Sequence, residues 1–246
     1  MVLGCALAPA TSQAVPILQL YVEGSTYDTD HESWVFTPNS GDPIRVWVIG
    51  NVDGNGGKGT ISDVKLSIVY EDPGSPVTIT LTPSTTGGYG GVTDPSTPQA
   101  ATYVKTVSDG SAPTLGDGSA LPSHGVYHDG AQWQEFALGD FDLTDSPIGD
   151  FVLNFPTDLD PAAGQINVYE LSVVGAITDL HIDVYDHVVG GNHLKFVNAP
   201  FSHDAGTGVN DPVPVPEPGT LGLFAVAALG LGLLRRRIPP DAKGPR

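Results

Sequence analysis

Thiols are scarce in this sequence, which has one cysteine, Cys5, among 246 residues. A lone thiol cannot form a disulfide within the chain, and it cannot supply the several thiolates of a cysteine-based zinc site. The sequence also lacks the G-x-S-x-G motif that places the nucleophile of many serine hydrolases. These absences give no support to an enzyme, and we expect none.

Basic residues are also few: the chain has 10 Lys and Arg against 28 Asp and Glu. The imbalance is concentrated in residues 15–214, which hold 26 acidic and five basic side chains. A surface of this charge repels nucleic acid and anionic lipid headgroups, and it attracts divalent cations. Nucleic-acid binding is therefore excluded as a function, whereas a bound cation such as Ca²⁺ stays open.

Helical patterns are missing outside the C-terminal tail. The chain contains 31 glycines and 22 prolines, which discourage long helices, and aspartate, which favours turns, makes up 22 of the 28 acidic residues. Short segments of alternating apolar and polar residues instead predict β-strands, as in Asp63–Tyr70, where Val64, Leu66 and Ile68 share one face.

Further strands are predicted at 17–22, 33–37, 44–49, 77–82, 101–107, 132–138, 150–155, 165–174, 179–186 and 193–197. About ten short strands separated by turns are typical of a β-sandwich. We therefore predict an all-β ectodomain with an Ig-like or jelly-roll sandwich, followed by a short C-terminal hydrophobic helix.

Shifts in composition predict how the chain is organised. The small residues Ser12-Gln13-Ala14 are typical of a secretory cleavage site, so the segment before the first strand is interpreted as a signal-peptide remnant read by the secretion translocon. A lipoprotein site at Cys5 is the alternative. The predicted divisions are the remnant at 1–14, the sandwich at 15–205 with a long loop region at 83–122, a Gly/Pro linker at 206–214 and a tail at 215–246.

The tail contains three features in order. Pro216-Glu217-Pro218 is followed by an uncharged apolar run at 221–234 and then by Arg235, Arg236 and Arg237. The apolar run can enter lipid as a helix, and the arginines hold its end on the cytoplasmic side of the membrane. Its 14 residues fall short of the roughly 20 that span a bilayer comfortably.

This tail resembles the PEP-CTERM sorting signal of Gram-negative envelopes. The resemblance implies that Pro216, Glu217 and Pro218 are recognised by exosortase, a membrane-embedded cysteine protease that processes the exported chain near the motif. It also implies transient anchoring in the inner membrane and a final place in the envelope or outside the cell. A permanent C-terminal membrane anchor is the alternative interpretation.

The remainder of the chain is similar to choice-of-anchor domains, which are β-rich surface domains found with different C-terminal anchors. The similar stretches are Leu18–Gly24, Leu138–Phe141, Gly164–Glu170 and Ala199–Asp204. This resemblance implies an envelope protein and supplies no catalytic residues.

Two acidic segments are candidate calcium sites, because Ca²⁺ binds oxygen ligands. One contains Asp53, Asn55 and Asp63, although Lys58 and Val64 do not fit the pattern of a calcium loop, and a flexible hairpin turn is the alternative. The other contains Asp28, Asp30 and Glu32, which share one side if the chain is extended there. The alternative for this second segment is a solvated loop. For both segments, the turn or loop without calcium is the preferred interpretation.

The histidines and tryptophans give weaker signals. His124 and His128 are four residues apart with no helix predicted, and the pairs Asp186-His187 and His203-Asp204 fall in turns, so we expect surface histidines without a metal. Trp34 and Trp47 are expected in the core. Trp133 is the best candidate for an exposed ligand platform, with Asp140, Asp142 and Asp145 nearby, but burial is the preferred interpretation.

Taken with the tail, these observations favour an exported, non-enzymatic envelope protein with a structural or adhesive role in the exopolysaccharide or biofilm layer. A calcium-dependent carbohydrate-binding module that contacts extracellular polysaccharide is the first alternative. A glycan-active enzyme is the second.

Overall fold

A computed structural model describes residues 17–31, 33–37, 43–53, 59–84, 100–116, 118–122, 125–152, 160–186 and 204–207. The chain divides into two compact units, Met1–Asp211 and Pro212–Arg246, and every described residue lies in the first. Within these ranges all helix-or-strand structure is β-strand, which confirms the all-β prediction.

The strands form two sheets. Their bounds are β1 (Leu18–Val22), β2 (Thr26–Asp28), β3 (Ser33–Val35), β4 (Ile44–Gly50), β5 (Ile61–Glu71), β6 (Thr78–Ser84), β7 (Thr102–Val107), β8 (Ala131–Phe141), β9 (Ser146–Ile148), β10 (Asp160–Val174), β11 (His181–Asp186) and β12 (Ala205–Gly206). The smaller sheet has the order β1-β4-β10-β6, with β9 also paired to β10, and the larger has the order β2-β3-β12-β11-β5-β8-β7. All pairs are antiparallel except β12 with β3.

One hydrophobic core is shared by the two sheets. Leu20 and Val48 of the smaller sheet and Leu66, Ile68 and Val184 of the larger belong to the same buried cluster. Because successive side chains of a strand point to opposite faces, the core takes alternate residues of β5, up to Tyr70. Two sheets around one core agree with the predicted β-sandwich, while the choice between Ig-like and jelly-roll stays a prediction.

Gly164 and Gly50 lie where the backbones of β10 and β4 leave no room for a side chain. A Cβ atom on Gly164 would collide with the carbonyl oxygen of Gly50, and a Cβ on Gly50 would lie 2.7 Å from the Phe141 ring. Neighbouring Gln165 pairs with Gly50 across the β10–β4 ladder. Glycine is therefore required at both positions by space.

The predicted strand at 150–155 is wrong over its described part, which forms a turn. Asp150 Oδ1 accepts a hydrogen bond from the Val152 amide at 3.0 Å, and the Phe151 amide donates to Gln19 Oε1 at 2.9 Å. Side chains thus satisfy backbone groups that a strand would have paired with a neighbour. The predicted strand at 193–197 lies outside the described residues.

Candidate metal centre

The face of the larger sheet that points away from the shared core carries a group of buried polar residues. On β11, Ile182 and Val184 enter the core, so His181, Asp183 and Tyr185 lie on the opposite face. All three are buried. Another part of the chain must cover this face, because on an open sheet face these side chains would be exposed to solvent.

The cover comes from the described residues between β7 and β8 (108–116, 118–122 and 125–130), here called the covering segment. It contributes to a second hydrophobic cluster, separate from the shared core, that also takes residues from three strands of the larger sheet. The buried members are Val69, Leu115, Leu121, Val126, Tyr127, Ala131, Trp133 and Tyr185. The covering segment thus shields the Tyr185 end of the polar face from water.

Strand register continues the polar group across the sheet. Asp183 of β11 pairs with Ser67 of β5, which pairs in turn with Glu135 of β8, and Glu135 pairs with Lys105 of β7. Paired residues project to the same face. The polar side chains therefore form a continuous row across four strands.

Asp204 joins this row from a distant part of the chain. It directly precedes β12, and Gly206 of β12 pairs with His181. Because Asp204 and Gly206 are two residues apart, Asp204 lies on the same sheet face as His181, on the side of Gly206 nearer to Asp183. The carbonyl oxygen of Asp204 accepts a hydrogen bond from the Trp34 amide at 3.1 Å. Backbone pairing on both sides thus fixes where this carboxylate lies.

His181, Asp183 and Asp204 converge. His181 Nε2 lies 3.3 Å from Asp183 Oδ1 and 3.6 Å from Asp204 Oδ2, and one ligand atom from each residue lies within 4.8 Å of the others. Their side chains are 2%, 10% and 1% exposed, respectively. An imidazole nitrogen and two carboxylates in such a buried cluster are groups that bind metal ions.

Tyr127 of the covering segment positions one of these carboxylates. Its hydroxyl donates to Asp183 Oδ2 at 2.6 Å and forms a short hydrogen bond with Ser67 Oγ. Burial and the negative charge of Asp183 raise the pKa of Tyr127 well above its usual value, so the phenol stays a donor. Asp183 is left with Oδ1 directed towards His181.

Neighbouring negative charges also change the pKa of the His181 imidazole. Burial lowers the pKa of His181, but the negative charges of Asp183 and Asp204 and the hydrogen bond to Asp183 outweigh it and raise the pKa to about 9. Without a metal ion the imidazole therefore holds a proton between the two carboxylates at neutral pH.

A second buried pair lies further along the row. The Tyr185 hydroxyl donates a hydrogen bond to Glu135 Oε2 at 2.6 Å. Burial, reinforced by the negative charge of Glu135, raises the pKa of Tyr185. Lys105 Nζ lies 3.8 Å from Glu135 Oε2 and 5.0 Å from the centroid of the Trp133 ring. The ammonium group thus meets a carboxylate and an aromatic face together.

This cluster was not predicted from the sequence. The expectation of a surface histidine is wrong for His181, which is buried in β11, within the strand predicted at 179–186. By contrast, His128 is exposed and pairs with Glu71 at 3.1 Å, as expected of a surface histidine. The His-x-Asp spacing of His181 and Asp183 was the available signal, because residues two apart share a strand face. His124, His187 and His203 lie outside the described residues.

Asp28 is the last residue of β2, and residues 29–31 form a turn, so Asp28 and Asp30 do not lie in one extended stretch. Asp28 Oδ1 accepts hydrogen bonds from the amides of Asp30 and His31, at 2.8 and 3.2 Å, and Oδ2 lies 3.1 Å from His31 Nδ1. These contacts lower the pKa of Asp28, and the hydrogen bond from the Asp30 amide has the largest effect. Glu32 lies outside the described residues.

The second calcium candidate is only partly described. Asp53 is exposed at a turn, and Asn55 lies outside the described residues. Asp63 has a left-handed backbone with φ of 54°, and its carboxylate pairs with Lys65 Nζ at 2.7 Å. The Asp63 amide donates to Asp140 Oδ1 at 2.7 Å. The Asp63 carboxylate is therefore engaged by a cation of the protein itself.

All three tryptophans are buried, as preferred from the sequence. Trp34 and Trp47 are each 7% exposed, and Trp133 is 3% exposed. The indole N–H of Trp133 donates to the Ser111 carbonyl at 2.7 Å, and its ring packs edge-on to Tyr127. Trp133 therefore offers no open ring face, and the ligand-platform hypothesis is wrong for it.

Comparison with known protein families assigns the tail. Residues 214–237 match the model of the PEP-CTERM protein-sorting motif. The chain carries a PEP-CTERM sorting motif. The match confirms the resemblance drawn from Pro216, Glu217 and Pro218, and it indicates an exported protein of the Gram-negative envelope that exosortase processes. Comparison with curated proteins and with solved structures gives no match.

The PEP-CTERM match covers the tail alone, so the similarity of the β-domain to choice-of-anchor domains stays a prediction. The tripeptide, the apolar run at 221–234 and the basic residues Arg235–Arg237 lie outside the described residues. Within the described ranges, no helix is long and apolar enough to cross a membrane.

Proposed function

We propose that this chain is a non-enzymatic envelope protein with a structural or adhesive role in the exopolysaccharide or biofilm layer. The observation that carries the proposal is the PEP-CTERM sorting motif at residues 214–237. The acidic composition supports it, because a strongly charged domain stays soluble outside the cell. The β-domain is the part that remains outside after processing.

The tail has separate tasks in this proposal. The apolar run at 221–234 enters the inner membrane as a helix, and Arg235–Arg237 stop it there. Exosortase then reads Pro216-Glu217-Pro218 in an extended conformation, because proline restricts its own backbone and that of the preceding residue. Cleavage near the motif separates the β-domain from the membrane segment.

The contacts of the β-domain favour this role over a calcium-dependent carbohydrate-binding module. Trp133 is buried, Asp28 caps a turn, and Asp63 pairs with Lys65. These three residues of the predicted saccharide and calcium sites are thus engaged within the protein. Among the described residues, no observation specifically supports the carbohydrate-binding module or a glycan-active enzyme.

The test is a fractionation blot of the wild-type chain in a host with exosortase and in the same host lacking it. We expect a smaller product in the envelope or medium of the first host and a full-size membrane form in the second. Glu217→Ala should accumulate as the full-size form in both hosts. Asp211→Ala, a matched acidic change outside the motif, should be processed like the wild type.

Deletion of Arg235–Arg237 should act differently, since it weakens the stop and lets some of the chains pass through the membrane unprocessed. The proposal of exosortase sorting fails if the wild-type chain has the same size and membrane location in both hosts. The proposal of a non-enzymatic role fails if the purified β-domain degrades an exopolysaccharide of its own host.

A further inference from the structure

The cluster of His181, Asp183 and Asp204 has the composition and spacing of a metal site. We infer that His181 Nε2 and one carboxylate oxygen each from Asp183 and Asp204 bind a single divalent transition-metal ion, with Zn²⁺ as the ion to test first. This inference does not depend on the proposed function. It rests on distances, donor chemistry, charge and support from neighbouring residues.

The two distances from His181 Nε2 to the carboxylate oxygens fit ligands around one metal ion. A hydrogen bond between a charged nitrogen donor and a carboxylate is about 2.7–2.9 Å long. His181 Nε2 lies farther than this from both oxygens, at 3.3 Å from Asp183 Oδ1 and 3.6 Å from Asp204 Oδ2. Two ligands held about 2.1 Å from a tetrahedral zinc ion lie about 3.4 Å from each other.

The donor atoms select the class of metal. Ca²⁺ takes six to eight oxygen ligands and Mg²⁺ keeps several waters, so neither favours an imidazole nitrogen in a buried cluster. Imidazole suits first-row transition metals, and Zn²⁺ accepts nitrogen and carboxylate ligands together. The site therefore differs in both residues and metal from the calcium sites suggested by the sequence.

The charges balance with a divalent ion. With a neutral imidazole, the carboxylates of Asp183 and Asp204 carry two negative charges, and both side chains are at most 10% exposed. A divalent cation neutralises the pair, whereas a proton on His181 leaves one negative charge among the three residues. Buried charges in proteins are generally paired or bound to a metal.

Residues around the cluster hold the ligands in place. Tyr127 donates to Asp183 Oδ2 while Oδ1 faces His181, which is the arrangement expected of a residue that orients a metal ligand. β12 fixes Asp204 by pairing with both β3 and β11. The three ligands therefore come from backbone that strand pairing has already placed.

The experiment uses the full chain, purified without a polyhistidine tag and stripped with a chelator. Zinc is returned in competition with a chromophoric chelator, metal content is counted by mass spectrometry, and Co²⁺ is added separately to record its visible absorption. We expect one equivalent of Zn²⁺ per chain and a Co²⁺ spectrum of four-coordinate type. His181→Gln and Asp204→Asn should each weaken zinc binding at least tenfold, and Tyr127→Phe about tenfold.

His128→Gln is the matched control, because it removes an exposed histidine and should leave zinc affinity unchanged. Binding of less than a tenth of an equivalent by the wild type would overturn the inference and leave a protonated His181 between two carboxylates. Saturation by Ca²⁺ with none by Zn²⁺ would overturn it too. If the ligand variants do not fold, the wild-type Co²⁺ spectrum decides, because it requires no variant.

Discussion

The hydroxyl of Tyr127 lies 2.6 Å from Oδ2 of Asp183, although the two residues are 56 positions apart. This hydrogen bond connects the covering segment to Asp183 of β11, where the row of polar side chains across the sheet begins. It joins two parts of the fold that strand pairing alone does not link. The covering segment is therefore held by a polar contact as well as by its apolar side chains.

Removing that hydroxyl should destabilise the β-domain. Tyr127→Phe deletes a donor to a buried carboxylate and should lower the free energy of unfolding by about 1.5–3 kcal/mol. Urea denaturation in the presence of a chelator measures this without any metal contribution. Tyr103→Phe is the control, because Tyr103 is 54% exposed and should change stability by no more than about 0.5 kcal/mol. Equal effects of the two changes would contradict the role given to Tyr127.

Tyr185→Phe should also destabilise the domain, by about 1.5–3 kcal/mol, because Glu135 loses a hydroxyl donor at a buried site. If the Lys105 ammonium helps to balance Glu135, Lys105→Met should add a smaller loss of about 1 kcal/mol, reduced by its partial exposure. A double-mutant cycle in denaturant measures the coupling. Strict additivity would show that the two contacts act independently.

The lack of space at Gly164 should make an alanine at this position destabilising. Its Cβ would meet the backbone oxygen of Gly50, which cannot move without breaking strand pairing, so Gly164→Ala should cost about 2 kcal/mol or more. Gly74→Ala is the comparison, since its Cβ meets open space and only its φ of 65° opposes the change, at about 1 kcal/mol. Thermal melts of the two variants should therefore rank Gly164→Ala lower.

Tyr169 should make stability fall at alkaline pH. Burial raises the pKa of its phenol, so above about pH 10 the unfolded chain loses this proton while the folded chain keeps it. Folding is then disfavoured by up to about 1.4 kcal/mol for each pH unit. Tyr169→Phe removes that loss, so its stability curve should approach the wild-type curve as pH rises from 10 to 12. Parallel curves over that range would disprove the effect.

Tryptophan burial should show in fluorescence quenching. Trp34, Trp47 and Trp133 are each at most 7% exposed, so iodide should quench the folded protein little and the unfolded chain strongly. Added saccharide should leave the emission unchanged, since none of the three rings presents an open face. Strong quenching of the folded form would contradict the packing described for Trp133.

The fold was predictable from the sequence where alternation was regular. Val64, Leu66 and Ile68 identified the core face of β5, and the strand itself extends to Ile61–Glu71. The covering segment was not predictable, because its apolar residues, such as Leu115 and Leu121, are few and irregularly spaced. Isolated apolar residues show no period, and only tertiary packing reveals what they cover.

The cluster of His181, Asp183 and Asp204 was predictable from the sequence only in part. His181 and Asp183 lie two apart in a predicted strand, which places them on one face. Asp204 follows much later and precedes β12, a strand of two residues that is too short for any pattern to reveal. Its place beside Asp183 comes from the pairing of β12 with β11, which sequence spacing does not contain.

Export followed by exosortase processing determines the intact mass of the mature protein, which can be measured on protein from its own cell envelope. We expect a chain that ends near Pro216–Pro218 and lacks the apolar run and the arginines beyond it, with any attached group visible as added mass. Mature protein that retains Arg246 at its C-terminus would disprove processing and make the tail a permanent anchor.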